Sequence, residues 1–433
     1  MVGITDKLKV LVIAEAANPE WVSVPLVGWS LASELRNIAD IHIVTQVRNR
    51  DAFLRAGLTE GVDFTAINSE LFEQPIWKIT NALKMGKEKG SWTALQAFSA
   101  LSYPYFERLI WKQFGGRIQA GEFDVVHRIT PLSPTIPSPL AKKCKRVDVP
   151  FILGPLNGGV PWPAGFETER RQEREWLSYV RGAYKLLPGR DITLANADAI
   201  LVGSRFTESE IPDKYKEKCV YIPENAIDPA RFSRRSAHQS APLKACFIGR
   251  MVPYKGPDML LEAAAPLLRD GKMTLEMIGD GPLLEKLKKQ VIKDQTQHAV
   301  NFHGWQSHEA VQDIVAKCGL LAFPSIREFG GGVVLEAMAL GLPALVVDYG
   351  GPGELVTEKT GFKVPIGSRS EITDGFYAEL EKIAMAPEAL VEMGENARAY
   401  TREWFTWPVK AAQVAKVYEW VLDGRSSERP SFF

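Results

Sequence analysis

REFGGGVVLEAMALGLP, residues 327–343, follows almost directly on GLLAFPS, residues 319–325. GLLAFPS is a short apolar run of the buried-strand kind. Val333, Ala337 and Leu340 then recur at helical spacing, so the chain reads strand, glycine turn, helix. Glycines ahead of the helix let backbone approach a ligand with no Cβ in the way. The first amides of a helix have no intrahelical acceptor and attract anions. This nominates Gly330, Gly331, Gly332, Val333 and Val334 as a ligand-binding run.

Glu328 stands before the glycines and Glu336 in the second helical turn. Eight helical steps would put their Cα atoms about 12 Å apart, far from the roughly 5 Å carboxylate pair of a retaining glycosidase. The two are therefore expected to touch different parts of one ligand. An anion on the amides, one carboxylate at sugar hydroxyls and the other at a ribose together outline a nucleotide sugar.

Residues 247–356 carry further motifs in a fixed order: FIGRMVPYKG (247–256), MIGDGP (277–282), VNFHGW (300–305), the 323–343 segment and DYGGPGELV (348–356). In these the chain resembles the C-terminal half of the retaining glycosyltransferases of family 4, the glycosyl transferases group 1. The resemblance covers about a hundred residues and is looser in the N-terminal half. It implies an α/β chain of the GT-B class, two Rossmann-like doubly wound domains facing a central cleft, with the nucleotide sugar held by the second.

The resemblance also implies roles. Glu328 would orient the donor sugar and stabilise positive charge in the transition state, and Glu336 would accept the ribose hydroxyls. Arg250 and Lys255 follow the first strand of the second domain, where a planar fork and a compact point charge would meet one diphosphate and neutralise it as it leaves. Gly249 and Gly279 sit at strand ends, Gly279 under the nucleoside, and Trp305 stands where the family holds the base. A GDG triplet is equally a plain turn, and a lone Trp is more often core than ligand. Members commonly have an aromatic two residues after the first glutamate. Here Phe329 follows Glu328 directly and Gly330 takes the expected place, which implies a differently shaped sugar loop.

The acceptor side departs more. The family often carries a His-x-His segment in its first domain; DVVHRITP keeps His127 but has Ile129 in the second position. His127 is a candidate catalytic group beside a structural reading, with Arg128 as an alternative contact. AEAANPEWVSVPLVGW (14–29) replaces a common glycine-glycine turn and offers Glu15, Trp21 and Ser23. GPLNGG (154–159) offers Asn157 and Gly158 as substrate contacts. No DxD pair or His/Asp cluster stands near the site, so positive side chains and a helix dipole are expected in place of a metal. No metal or other cofactor is expected, the donor being a substrate, UDP-hexose by preference.

Composition sets outer bounds. The chain has 433 residues, 45% hydrophobic, with formal net charge +0, which fits two or three soluble domains and gives no global pointer to nucleic acid. Cys144, Cys219, Cys246 and Cys318 stand far apart without metal-ligand spacing, the pattern of reduced cytoplasmic thiols. The first apolar run is too short for a signal sequence or a membrane span.

Both halves alternate apolar runs with helical stretches, the signature of wrapped parallel sheets. Expected strands are 9–15, 41–46, 124–130, 151–155, 199–204 and 219–224, then 243–249, 273–279, 299–304, 320–325 and 343–348. In the second half helices are expected to start near Pro257, Pro282, His308, Gly332 and Pro352. The expected division is 1–224 plus about 408–433 for an acceptor-binding domain, 225–243 for a linker and 244–407 for a donor-binding domain. Residues 70–117 mix Trp77, Trp92, Tyr103, Tyr105, Phe106 and Trp111 with lysines and arginines. They read either as a helical insertion packed on the sheet or as a peripheral contact with an anionic membrane face, the latter suiting a lipid-linked acceptor. The resemblance implies transfer of a hexose to a saccharide or lipid-linked acceptor in surface polysaccharide or glycolipid synthesis; a nucleotide-sugar epimerase or hydrolase and a noncatalytic sugar or lipid binder are the alternatives.

Overall fold

The computed structural model describes residues 7–69, 92–173, 188–232, 234–236 and 241–433. The chain divides into two compact units: Met1–Gly158, Glu175–Glu224 and Trp407–Phe433 form the first, Gly159–Arg174 and Asn225–Thr406 the second. Residues 159–174, expected with the first domain, thus cluster with the second, as do the described residues of 225–243.

Among the described residues the first unit has a seven-stranded sheet in the order β3-β2-β1-β4-β5-β6-β7. Its strands are β1 (Lys9–Ala14), β2 (Asp40–Gln46), β3 (Phe64–Ile67), β4 (Val125–Thr130), β5 (Phe151–Leu156), β6 (Ala199–Val202) and β7 (Cys219–Tyr221). All adjacent pairs are parallel. β1, β4 and β5 are buried almost throughout, because helices cover both faces of a parallel sheet. β3 was not expected: FTAI is a four-residue edge strand, too short to show a period.

The helix Trp92–Gln119 decides part of the 70–117 question. Tyr103, Phe106, Ile110, Phe114 and Ile118 recur at three- and four-residue spacing, are at most 3% exposed, and join the core under the sheet. These aromatics pack inward, while Arg108 and Lys112 face solvent. Trp77, Lys78, Lys84, Lys87 and Lys89, and the side chain of Trp92, lie outside the described residues. Among the described residues no helix is long and apolar enough to cross a membrane.

The second unit has, among the described residues, a six-stranded parallel sheet in the order β10-β9-β8-β11-β12-β13. Its strands are β8 (Leu243–Ile248), β9 (Met273–Ile278), β10 (Val300–Gly304), β11 (Leu320–Phe323), β12 (Ala344–Asp348) and β13 (Gly361–Pro365). Helices begin at Pro257, Leu284, His308, Gly332 and Gly350, each within two residues of the expected start. β13, GFKVP, was missed because glycine, lysine and proline read as loop; proline is tolerated there because the strand is an edge. Chain direction across the sheet reverses between β8 and β11, and ligands of doubly wound sheets gather at the carboxyl ends of the strands flanking such a reversal. That point lies between the loop after Ile248 and the loop after Phe323.

Candidate functional site

Three strand ends are stitched together beside this point. Gly249 N donates to Ile278 O and Gly279 N to Gly304 O, both at 2.9 Å, and Met251 N donates to Asp280 O. A Cβ on Gly279 would stand 2.0 Å from Gly249 O, with φ at +132°. Close backbone packing therefore requires glycine at 279 whether or not a nucleoside passes over it. Gly249 has φ +150°, and the Lys255 side chain runs across its open face, 3.2 Å from where a Cβ would be.

Lys255 ends the short 3-10 turn Pro253–Lys255. Its Nζ lies 3.0 Å from Glu328 Oε2, both side chains largely buried, and 5.2 Å from the centre of the Phe323 ring. Oε2 is buried yet accepts no hydrogen bond among the described residues, so the ammonium is close but off the bonding direction. A buried carboxylate oxygen in that condition retains full capacity for a hydroxyl donor.

Glu336 is half-buried on the helix Gly332–Ala339. Its carboxyl end is strongly desolvated, which pushes its pKa up to about 7, and the charges of Arg231 and Lys255 partly offset this. Lys255 is therefore close enough to act electrostatically on both glutamates. Gly331, at φ +62°, is the N-cap of this helix and no side chain caps it. Val334 N bonds Gly331 O, which leaves the Gly332 and Val333 amides, the first two of the helix, without intrahelical acceptors. Arg250, next to Gly249, is exposed.

The loop bearing Glu328 is seated on two other segments of the second unit. Gly351 N donates to Glu328 O at 3.2 Å, and Cβ atoms on Gly350 and Gly351 would stand 2.5 Å from Glu328 O and 2.4 Å from Phe329 O. On its other side lies 159–173: a Cβ on Gly159 would stand 2.3 Å from the Phe329 ring. The Arg327 guanidinium sits 5.2 Å from the centres of both the Trp162 and Phe329 rings. The expected residues missed this second seat, since nothing in VPWPAGF announces a partner more than 160 positions away.

Trp305 is 79% exposed directly after Gly304, so the core reading of this residue fails and a planar apolar face stands free at the end of β10. The first-unit candidates differ. His127 is fully buried, with Nδ1 at 2.7 Å from the Tyr418 hydroxyl and Nε2 at 2.7 Å from Gly154 O. Both nitrogens are engaged, so here the ring offers neither to a ligand, contrary to the catalytic expectation. Arg128 is 1% exposed and donates to the carbonyls of Ile136 and Pro131, which ties down a loop. Asn157 donates to Glu224 Oε1 at 2.6 Å, and Gly158 N to Thr207 Oγ1 at 3.0 Å. Glu15 pairs with Arg48. Trp21 is 45% exposed, and Ser23 holds φ +64°, a conformation uncommon for serine. Among the described residues no group of three His, Cys, Asp or Glu side chains is placed to hold a metal ion.

Residues 230–400 match the family model described as glycosyl transferases group 1. Over these residues the chain is similar to that family. An uncharacterized glycosyltransferase of Methanocaldococcus jannaschii is 26% identical over 228 residues, 53% of this chain and 61% of that protein. The D-inositol 3-phosphate glycosyltransferase of Gordonia bronchialis is 33% identical over 195 residues, 42% of either chain. The chain thus spans about half the length of the curated relatives it matches. The Anabaena protein HepE, solved in complex with UDP and glucose, superposes with a TM-score of 0.57 at 15% identity, covering 95% of this chain and 99% of that one. That likeness establishes the GT-B fold, as the two doubly wound sheets lead one to expect.

Proposed function

We propose that this protein is a retaining glycosyltransferase that moves a hexose from a nucleotide sugar, UDP-glucose or a similar UDP-hexose, to a saccharide or lipid-linked acceptor. The observation that carries the reading is the gathering of Lys255, Glu328 and Glu336 beside uncapped helix amides at the sheet's reversal point. A helix start, an ammonium and a guanidinium are suited to a diphosphate, and two carboxylates in different settings are suited to two sets of hydroxyls. UDP and glucose bound to HepE and the transferase names of the curated relatives support the same reading.

In the proposed mechanism the Gly332 and Val333 amides, with Arg250 and Lys255, receive the diphosphate and stabilise the charge that grows on it as the glycosidic bond breaks. Glu328 accepts hydroxyls of the donor sugar and Glu336 those of the ribose. The acceptor hydroxyl attacks from the face the diphosphate leaves and passes its proton to the departing diphosphate oxygen, so the step balances and configuration is retained. His127 is given no chemical step. The cations and the helix dipole serve where other enzymes use a metal, so turnover should survive a chelator. The proposed setting is cytoplasmic surface-polysaccharide or glycolipid synthesis.

A thermal-shift panel of UDP, GDP and ADP sugars on wild type and Glu336→Ala tests this. One nucleotide should raise the wild-type Tm by mass action and fail to do so in the variant. An NMR time course showing an inverted anomeric centre would reject retention.

A further inference from the structure

Glu328 sits on a loop, not on a helix or strand, and its carboxylate must still be held within about 0.5 Å to act well. The segment 159–173 lies in sequence between β5 and β6 but belongs to the second unit. Its residues meet the backbone and neighbours of Glu328 and Lys255 at several points. Gly159, at φ +67°, lies under the Phe329 ring with no room for a Cβ. Val160 closes on Gly350, the glycine that also faces Glu328 O. Pro161 O accepts a hydrogen bond from the Tyr349 hydroxyl at 3.0 Å. Trp162 packs edge-on against Tyr254, the residue before Lys255, at 6.3 Å between ring centres. Behind it, the helix Glu167–Gln172 packs against the turn Pro253–Lys255.

The stack of Trp162, Arg327 and Phe329 is the centre of this arrangement. Arg327 is 8% exposed, and a guanidinium between two aromatic faces is held by attraction to both while its plane is fixed. Arg327 and Phe329 are the two neighbours of Glu328, so fixing both side chains fixes the peptide units between them. Tyr254 links the stack to the other member of the ion pair, because its carbonyl accepts Ile326 N at 2.9 Å. One aromatic, Trp162, therefore braces both the loop of the carboxylate and the turn of the ammonium.

We infer that residues 159–173 form a strap whose Trp162 holds Arg327 and Phe329 and thereby sets the position of Glu328, making Trp162 a positioning residue for the sugar half of the donor. The inference rests on the proposed assignment of Glu328 to the donor sugar. It deepens that assignment by making the sugar site of the second unit depend on a segment of the same unit that is distant in sequence. The nucleotide half of the donor, held also by Arg250, Glu336 and the helix amides, should depend on the strap only through the turn of Lys255, and so less than the sugar half does. That separation is what makes it testable.

The test compares full-length wild type, Trp162→Phe and Trp162→Ala. Hydrogen exchange is read first, at the amides of Ile326 and Gly351, whose acceptors are Tyr254 O and Glu328 O. Trp162→Ala should speed their exchange at least tenfold while amides of β8 and β9 stay as in wild type, and Trp162→Phe should restore most of the protection. Calorimetry is read second. UDP affinity should fall in Trp162→Ala by less than in Lys255→Met, whereas turnover of UDP-glucose should fall at least tenfold in Trp162→Ala, chiefly in kcat, with partial rescue by Trp162→Phe. Unchanged exchange at Ile326 and Gly351 in Trp162→Ala overturns the strap. Faster exchange with wild-type kcat overturns its positioning role. A wild type that binds no nucleotide sugar while the exchange pattern appears as expected counts against the donor assignment and leaves the strap standing.

Discussion

Lys255 Nζ stands 3.0 Å from Glu328 Oε2, joining the turn after β8 to the loop after β11 across the point where the second sheet reverses direction. The two side chains are 15% and 22% exposed, so the pair is less screened than a surface ion pair. Lys255→Met would leave Glu328 buried without its counter-ion, and Glu328→Gln would leave the ammonium. Each should lower kcat/KM for the nucleotide sugar about 10²- to 10³-fold. Because the residues share one ion pair but touch different parts of the donor, the double variant should lose more than either single variant and less than the product of the two losses. Steady-state kinetics on all four proteins would show this; fully additive losses would mean that the two act separately.

Glu336 gives a pH dependence of definite sign. Burial raises its folded pKa from 4.5 to about 7, so between these values the folded protein holds a proton that the unfolded chain has released. Its contribution to stability is therefore lost as pH rises from about 4.5 to about 7 and is flat above. Glu336→Gln should raise the Tm of the ligand-free protein at pH 8 and have little effect at pH 4.5. A ribose diol needs the ionised carboxylate as a double acceptor, so UDP affinity should rise with pH through about 7 in wild type and lose that dependence in the variant. Titrations between pH 5.5 and 8.5 would check both signs.

Gly279→Ala should destabilise the second unit. A Cβ there would stand 2.0 Å from Gly249 O, at φ +132°, and a residue forced into such backbone costs on the order of 1 to 3 kcal/mol before any steric displacement. Denaturant unfolding would report it as a lower midpoint. Gly271→Ala is the control: it shares a positive φ of +66° but has nothing within 4 Å of a new Cβ, so only the smaller strain should appear.

Tyr418→Phe separates structure from chemistry at His127. It removes the hydroxyl at 2.7 Å from Nδ1 and leaves a buried polar nitrogen unsatisfied, at a cost of about 1 to 3 kcal/mol. The protein should unfold more easily, while turnover per folded molecule stays within about twofold. A hundredfold loss of turnover at unchanged stability would return His127 to the chemistry.

The fold was legible wherever period and punctuation agreed. β8 to β12 each end at a turn signalled by glycine, proline or acidic residues, and the Gly332 helix is announced by Gly330 and Gly331. Edge strands were not: β3 is four residues long and β13 carries glycine, lysine and proline, so neither shows an alternating pattern. In the site, Lys255 and Glu328 stood out because charged residues beside glycines are unusual at the end of a buried strand, whereas Glu336, inside a helix, stood out only through the resemblance. Their mutual arrangement did not, since the Lys255–Glu328 pair depends on two loops more than seventy residues apart. The Trp162 to Arg327 contact was beyond reach for the same reason. His127 misled because a histidine at a strand end looks the same in sequence whether it faces a ligand or, as here, is enclosed by Tyr418 and Gly154.

The most direct measurement is a calorimetric titration of UDP into wild type, Lys255→Met and Glu336→Ala at pH 8. A diphosphate and ribose seated between the ends of β8 and β11 predict saturable one-to-one binding by wild type and at least tenfold weaker binding by each variant. UDP bound with wild-type affinity by both variants would contradict the account.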